Sequence, residues 1–294
     1  MINELKKIQE IYKKGGNVID YIKKMTSENS NSTEAIMISY DMQAGSYIKY
    51  ASENYVYINN YTNSIAKIID NLGDFESIIE IGVGEATTFA NVVTKLKKTP
   101  KEILGFDISW SRVKYAQQYL KEKGVLNFSL FTGDLFNTPI NDNSIDIVYT
   151  SHSIEPNGGK EKEALQELYR ITNKYLILLE PSYYFANEEG KKRMERLGYV
   201  KRLYETAIEL NYKIIEHRLF EYCSNPLNPT GLIIIEKNGT SISNSDEILA
   251  CPISKTSIKI KKGSYFSPES LLVYPIIDNI PCLLPNNAVI AAHY

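Results

Sequence analysis

The 294-residue chain has only three cysteines, Cys223, Cys251 and Cys282, and a single tryptophan. Three scattered thiols cannot build a disulfide framework, so a reducing, cytoplasmic setting is expected. No apolar run is long enough to cross a bilayer, and no membrane partner is expected. The first residues, "MINELKKIQEIYKKGG", are charged and amphipathic and lack the apolar centre of a signal peptide. A basic surplus is also missing, since the formal net charge is −2. That argues against a nucleic-acid partner gripped by the whole surface, while leaving a local basic face open. Internal repeats and long low-complexity stretches are absent too. What remains is ordinary globular material, 43% hydrophobic and 23% charged, enough for one large domain and a small one. The 22 tyrosines read as compositional bias.

Residues 1–30 read as one or two amphipathic helices broken near Gly15-Gly16. "SENSNSTEA", Ser27 to Ala35, reads as a polar linker. Helical spacing returns up to Leu72, and Gly73-Asp74 stops it. From Ser77 the pattern becomes strand–helix alternation. The strands are "SIIEIG", "EILGFDIS", "NFSLFTGD", "IDIVYTSH", "YLILLEPS", "YKIIEHRLFEYC" and "GLIIIEKN", with helices expected between the first five. Such alternation implies a parallel sheet with helices on both faces. Only "SNPLNPTG" separates the last two strands, which suits an antiparallel pair. A second polar linker, Asn238 to Glu247, precedes a tail of short strands and turns. The expected organisation is a helical cap over 1–75, a nucleotide-type α/β domain over 76–240 and a small β-rich module over 245–294.

The first strand runs into "EIGVGEATTF". A strand, a glycine turn and a helix start make a cradle for a nucleotide-like cofactor. The third glycine of a dinucleotide fingerprint is missing, with Thr87 in its place. In an open α/β sheet the ligand sits beyond the carboxyl ends of the strands. Three acids occupy those ends: Glu80, Asp107 and Asp134. A dinucleotide would explain Asp107 as its ribose ligand but not the other two.

At these residues the chain resembles the class I S-adenosylmethionine-dependent methyltransferases, over roughly Tyr40 to Asn238. "IIEIGVGEATT" resembles their first motif, "GFDIS" the second, and "TGDLFNTPINDNSIDIVYTSHSIEPN" the third and fourth. The resemblance implies a Rossmann-like seven-stranded sheet with a terminal antiparallel pair, and S-adenosylmethionine as cofactor. It implies Gly82 and Gly84 at the cofactor's amino-acid end, with Glu80 beside them. Asp107 would bind the ribose, with Ile108 next to it. Asp134 and Leu135 would hold the adenine, and Ser151 would lie at the end of the fourth strand. An N-terminal lid with an aromatic residue is also implied, and Tyr47, near Tyr40 and Tyr50, is the candidate. The chemistry agrees: a carboxylate can accept from both hydroxyls of a ribose, and glycine lets the backbone approach the ligand.

Methyl transfer needs acceptor positioning, and a hydroxyl acceptor also needs a base. His152 is the one histidine near a predicted strand end, and it suits that role or a purely structural one. Glu155, Asn157 and, after the fifth strand, Tyr183 are candidates for holding the acceptor. Glu180 reads as turn chemistry beside Pro181. The expected acceptor is a small molecule, with a sugar or nucleotide-sugar leading. An RNA or protein acceptor, or a non-catalytic cofactor-binding subunit, is the alternative.

The tail, "LACPISK" to "YPIIDNIPCLLP", resembles a small zinc-ribbon-like family that includes the activator subunit of RNA and release-factor methyltransferases. Zinc-bearing relatives have C-P-x-C; here Ser254 replaces the second cysteine, and no second C-x-x-C is seen. Two distant thiols cannot hold a structural zinc, so no metal is expected. Burial of Ile276, Ile280 and Leu283 would substitute for it, on the same chain or exchanged between two copies in a homodimer.

Overall fold

The computed structural model describes residues 2–27, 31–237 and 247–294. The predicted linker 238–247 and the 240/245 boundary therefore fall almost wholly outside the described residues. The N-terminal part is helical: α1 (Leu5–Lys13), α2 (Val18–Thr26), α3 (Thr33–Met42), α4 (Ser46–Glu53) and α5 (Tyr55–Asn71). The linker expected through Ala35 is shorter than its composition suggested. Ser32 caps α3 by accepting from the Ala35 N–H at 3.3 Å, so the polar letters at its end are helix-start chemistry. Ile8, Val18, Ile22, Ala35 and Ile38 form a small core of their own among α1–α3.

Seven strands follow: β1 (Ser77–Ile81), β2 (Glu102–Asp107), β3 (Ser129–Thr132), β4 (Ile145–Ser151), β5 (Thr172–Pro181), β6 (Lys213–Leu219) and β7 (Thr230–Glu236). They pair in the order β3-β2-β1-β4-β5-β7-β6, parallel except for β7, which lies antiparallel between β5 and β6. All five residues of β1 are buried because it is central and covered on both faces. One face packs on α5, α6 (Phe89–Val93) and α7 (Trp110–Glu122), and the other on α8 (Glu161–Ile171) and α10 (Leu203–Glu209). No helix lies between β3 and β4; residues 133–144 turn and loop there instead. Two helices between β5 and β6, α9 (Glu188–Leu197) and α10, were not foreseen. The signals for α9 are present: Asn187 caps its start and Gly198, at φ 69°, ends it.

The C-terminal module is an antiparallel sheet of β8 (Lys259–Lys261), β9 (Ser264–Ser267), β10 (Leu272–Ile277), β11 (Ile280–Pro281) and β12 (Val289–Ile290). It docks on its own chain along the β3 edge. Cys282 bridges Thr132 in parallel, and the Leu283 N–H donates to the Thr132 carbonyl at 3.1 Å. Ile280 and Leu283 are fully buried, whereas Ile276 is half-buried. The docking caps the exposed strand edge that β3 would otherwise present.

The loss of zinc-ligand residues extends beyond Ser254. "SPES", Ser267 to Ser270, repeats the C-x-x-C spacing with serine at both ends. Ser270 Oγ lies 3.6 Å from Cys251 Sγ and donates to Ser267 Oγ at 2.7 Å, while the Ser254 N–H donates to that sulfur at 3.4 Å. Cys251, Ser267 and Ser270 thus converge with the Ser254 backbone beside them, while the Ser254 hydroxyl turns to Thr256 Oγ1 at 2.7 Å. Tyr274 OH lies 3.2 Å from the same sulfur. Burial raises the Cys251 thiol's pKa, but these hydrogen bonds outweigh it and bring the value down to about 7. Among the described residues no helix is long and apolar enough to cross a membrane.

Candidate cofactor and acceptor site

The carboxyl ends of β1, β2 and β4 open into a cavity of about 400 Å³. Gly82 (φ 67°) and Gly84 (φ 54°) form its floor, and a Cβ on Gly82 would sit 2.4 Å from the Ser153 Cβ. Only glycine fits that turn. Asp107 is 6% exposed and accepts from the Gly84 N–H and the Ser109 N–H, both at 2.9 Å. One lone pair on each oxygen therefore remains for a ligand. Burial raises its pKa, with the Arg112 guanidinium working in the opposite direction. Glu80 is 2% exposed and its Oε2 has no partner. Burial pushes its carboxyl well above the usual range. The Tyr149 hydroxyl and the Phe89 backbone face the same carboxyl, and a donor from a ligand would complete its partners.

Asp134 lies on the same wall with Leu135. Its carboxylate closes a local turn, accepting from the Phe136 N–H at 3.0 Å and the Asn137 side chain at 3.3 Å. Ile108 and Ser151 also face the cavity, and Ser151 Oγ is 2.8 Å from Tyr61 OH.

Tyr47 stands at the cavity mouth, 43% exposed. The lid it belongs to is tied down by residues that sequence reasoning did not single out. Glu85 accepts from three N–H groups at the start of α4: Gly45 at 2.9 Å, Tyr47 at 3.3 Å and Ile48 at 2.8 Å. Arg112 is sandwiched between the rings of Tyr40 (4.5 Å) and Tyr47 (4.3 Å) and donates to the Tyr40 carbonyl at 3.0 Å. Asp41 accepts from Ser109 and Ser111 hydroxyls at 2.7 and 3.0 Å. The acid following the second glycine was visible in the sequence; its target, a helix start forty residues upstream, was not.

His152 sits just past β4 with φ 57°. Both ring nitrogens are engaged: Nδ1 with Glu155 Oε2 and Nε2 with Thr230 Oγ1, each at 2.9 Å. Burial opposes its charge, but Glu155, with help from Glu180, raises its pKa. Glu180 is more than turn chemistry. Its buried carboxylate accepts from the N–H groups of Ser153 (3.0 Å), Ile154 (3.2 Å) and Glu155 (3.1 Å), pinning the loop that carries His152. Burial lifts its pKa to about 7. Glu155 and Asn157 line the cavity beside Tyr199, Arg193, Ser224, Asn225 and Asn228. Tyr183 is not brought there. The chain turns after Pro181, and the Tyr183 hydroxyl donates to Glu195 Oε1 at 2.7 Å on the outer side of α9.

Residues 78–174 match the family of the methyltransferase domain. A UPF0434 protein of Pseudoalteromonas translucida is 43% identical over 44 residues in the C-terminal region, 14% of this chain and 68% of that protein. Among solved structures, magnesium protoporphyrin IX methyltransferase from Synechocystis PCC 6803, with bound SAH, superposes with a TM-score of 0.52 at 14% identity. That match covers 68% of this chain and 99% of the other. A chain from the complex of the Haloferax volcanii Trm112 methyltransferase activator with a methyltransferase gives 0.50 at 12% identity, covering 68% and 98%. At these identities the superpositions establish the shared fold.

Proposed function

We propose that this chain, whose residues 78–174 match the methyltransferase-domain family and whose C-terminal module belongs to the UPF0434 family, is an S-adenosylmethionine-dependent methyltransferase that acts on a small polar acceptor, with a sugar or nucleotide-sugar leading. The observation that carries this reading is the composition of the cavity beyond the glycine turn. Glu155, Asn157, Ser224, Asn225 and Asn228 supply hydrogen-bonding side chains there, under a lid fastened by Glu85 and Arg112. An acceptor rich in hydroxyls matches such a wall.

The cofactor, when bound, supplies an electrophilic methyl group on a sulfonium sulfur. In the proposed arrangement Gly82, Gly84 and Glu80 hold its amino-acid end, Asp107 and Ile108 its ribose, and Asp134 and Leu135 its adenine; Ser151 and Tyr47 close the pocket. The buried Glu80 carboxyl beside Tyr149 and the free lone pairs of Asp107 would serve an ammonium and a diol respectively. The rest is positioning, with exclusion of water by the lid. His152 is the proposed base for a hydroxyl acceptor. Glu155 orients the ring through Nδ1, and the acceptor hydroxyl would replace Thr230 at Nε2 and deliver its proton there.

The test is transfer of a labelled methyl group to a panel of free and nucleotide-linked sugars, alongside RNA and peptide pools. Label in a sugar fraction is expected. Label confined to RNA or peptide would replace the acceptor class; binding of S-adenosylhomocysteine with no transfer to any pool would favour the partner-subunit alternative.

A further inference from the structure

The acceptor end of the cavity contains a half-buried positive charge whose neighbour is the Tyr199 phenol and not a carboxylate. Arg193 lies on α9, four residues short of its end. The buried face of that helix carries Gly190 and Met194, and Arg193 stands beside Met194 on the turn that faces the cavity, whereas Lys192, Glu195 and Arg196 are exposed. Its Nη1 is buried and without a hydrogen-bond partner. Its guanidinium lies 5.7 Å from the centre of the Tyr199 ring. Among the described residues no carboxylate forms an ion pair with it.

The nearest acid on this wall is already committed. Glu155 accepts from His152 Nδ1 at 2.9 Å and from the Asn228 side-chain amide at 3.5 Å. The Tyr199 hydroxyl stands between Glu155 and Arg193, and burial, reinforced by the Glu155 charge, keeps that phenol protonated far above the neutral range. A chain of contacts thus runs from His152 through Glu155 and Tyr199 to Arg193, away from the glycine turn. Two further buried polar atoms on the wall lack partners, Ser153 Oγ and Asn228 Oδ1. The amide oxygen needs a donor from its ligand; the guanidinium needs an acceptor.

Of this half-buried guanidinium, Nη1 is the buried donor left without a partner, and a bound anion would accept from it. Arginine is the residue whose planar fork matches the oxygens of a carboxylate or phosphate. We propose that the methyl acceptor is anionic, carrying a carboxylate or phosphate group bound by Arg193 together with a hydroxyl or amine that donates to Asn228. This rests on the small-molecule reading above and narrows it to sugar acids, sugar phosphates, nucleotide-linked sugars and acceptors of like charge. Neutral sugars fall outside it.

The experiment uses full-length protein saturated with S-adenosylhomocysteine, titrated in separate arms with inorganic phosphate and with acetate. The guanidinium resonance of Arg193 is followed, assigned by its loss in Arg193→Gln. A saturable shift in one arm or both is expected, and the tighter arm identifies the anion class. The global affinity of the saturated protein for that anion should fall at least about tenfold in Arg193→Gln. Affinity for S-adenosylhomocysteine should stay within about twofold. Arg193→Lys keeps the charge and should bind the anion at intermediate strength, which covers the case of a poorly folded glutamine variant. The proposal is overturned if neither anion shifts Arg193, or if Arg193→Gln binds the anion as well as wild type. It is equally overturned if Arg193→Gln loses S-adenosylhomocysteine affinity, because the arginine would then serve the cofactor's own carboxylate. Failure of the wild type to bind S-adenosylhomocysteine would instead count against the assignment of the cavity.

Discussion

Lys255 of the C-terminal module reaches Glu167 of α8, with Nζ 2.9 Å from Oε1, and donates to the Thr138 carbonyl at 3.1 Å. Arg170 completes the cluster from the same helix, 2.8 Å from that carboxylate. The module is therefore fastened to the loop that follows Asp134 as well as to the β3 edge.

That cluster makes docking of the module sensitive to acid. Burial would raise the pKa of Glu167, but Arg170 and Lys255 outweigh it and hold the value at about 2, against an ordinary 4.5. A carboxylate depressed in the folded state stabilises it above about pH 4.5, and that contribution disappears as the pH falls toward about 2. With allowance for partial solvent screening it is on the order of 1–2 kcal/mol. Hydrogen-exchange protection of the Leu283 amide should fall over this window. Glu167→Gln should flatten the dependence; an unchanged pH profile in that variant would disprove the role of the cluster.

Asp107→Ala should weaken binding of S-adenosylhomocysteine by roughly 2–4 kcal/mol, since two charge-assisted hydrogen bonds to a ribose would be lost. Calorimetry measures it directly. Undiminished affinity, or preference for a nicotinamide dinucleotide, would show that the strand-end acids serve something else.

Glu85→Ala removes one carboxylate that satisfies three N–H groups of the lid. Exchange of the Gly45, Tyr47 and Ile48 amides should accelerate by about 10- to 100-fold, with the sheet amides unaffected. Equal exchange in both proteins would mean that Arg112 and Asp41 hold the lid without it.

If His152 is the base, His152→Ala should lower turnover by on the order of 100-fold while leaving cofactor affinity intact. Thr230→Val is the discriminating partner, because it frees Nε2 without touching the ring. Turnover preserved or raised in Thr230→Val supports the base role. Turnover lost equally in both variants assigns His152 to holding the loop.

Purified protein should contain no stoichiometric zinc. Combining Ser254→Cys, Ser267→Cys and Ser270→Cys should create a tetrahedral thiolate site with Cys251 and bring in about one zinc per chain, as measured by metal analysis after refolding with zinc. A metal-free triple variant would show that the serines converge for packing reasons alone.

Much of the architecture was determined by local sequence. β1, β4 and β7 follow from nearly continuous apolar runs punctuated by Gly, Pro and Asn, because a strand buried on both faces must be largely apolar. The glycine turn and its three acids were legible for a similar reason: a positive φ with no room for a Cβ leaves a mark at one position, Gly82, that composition cannot hide. The insertion of β7 between β5 and β6 depends on pairing across the whole sheet, which no short window records. The same holds for Glu85 reaching α4, for Glu180 capping the His152 loop, for Arg193 arriving at the acceptor wall from an otherwise charged helix, and for Ser267 and Ser270 meeting Cys251. Each joins side chains far apart in the chain. Their meaning comes from what burial leaves unpaired, and burial is decided only when the layers close.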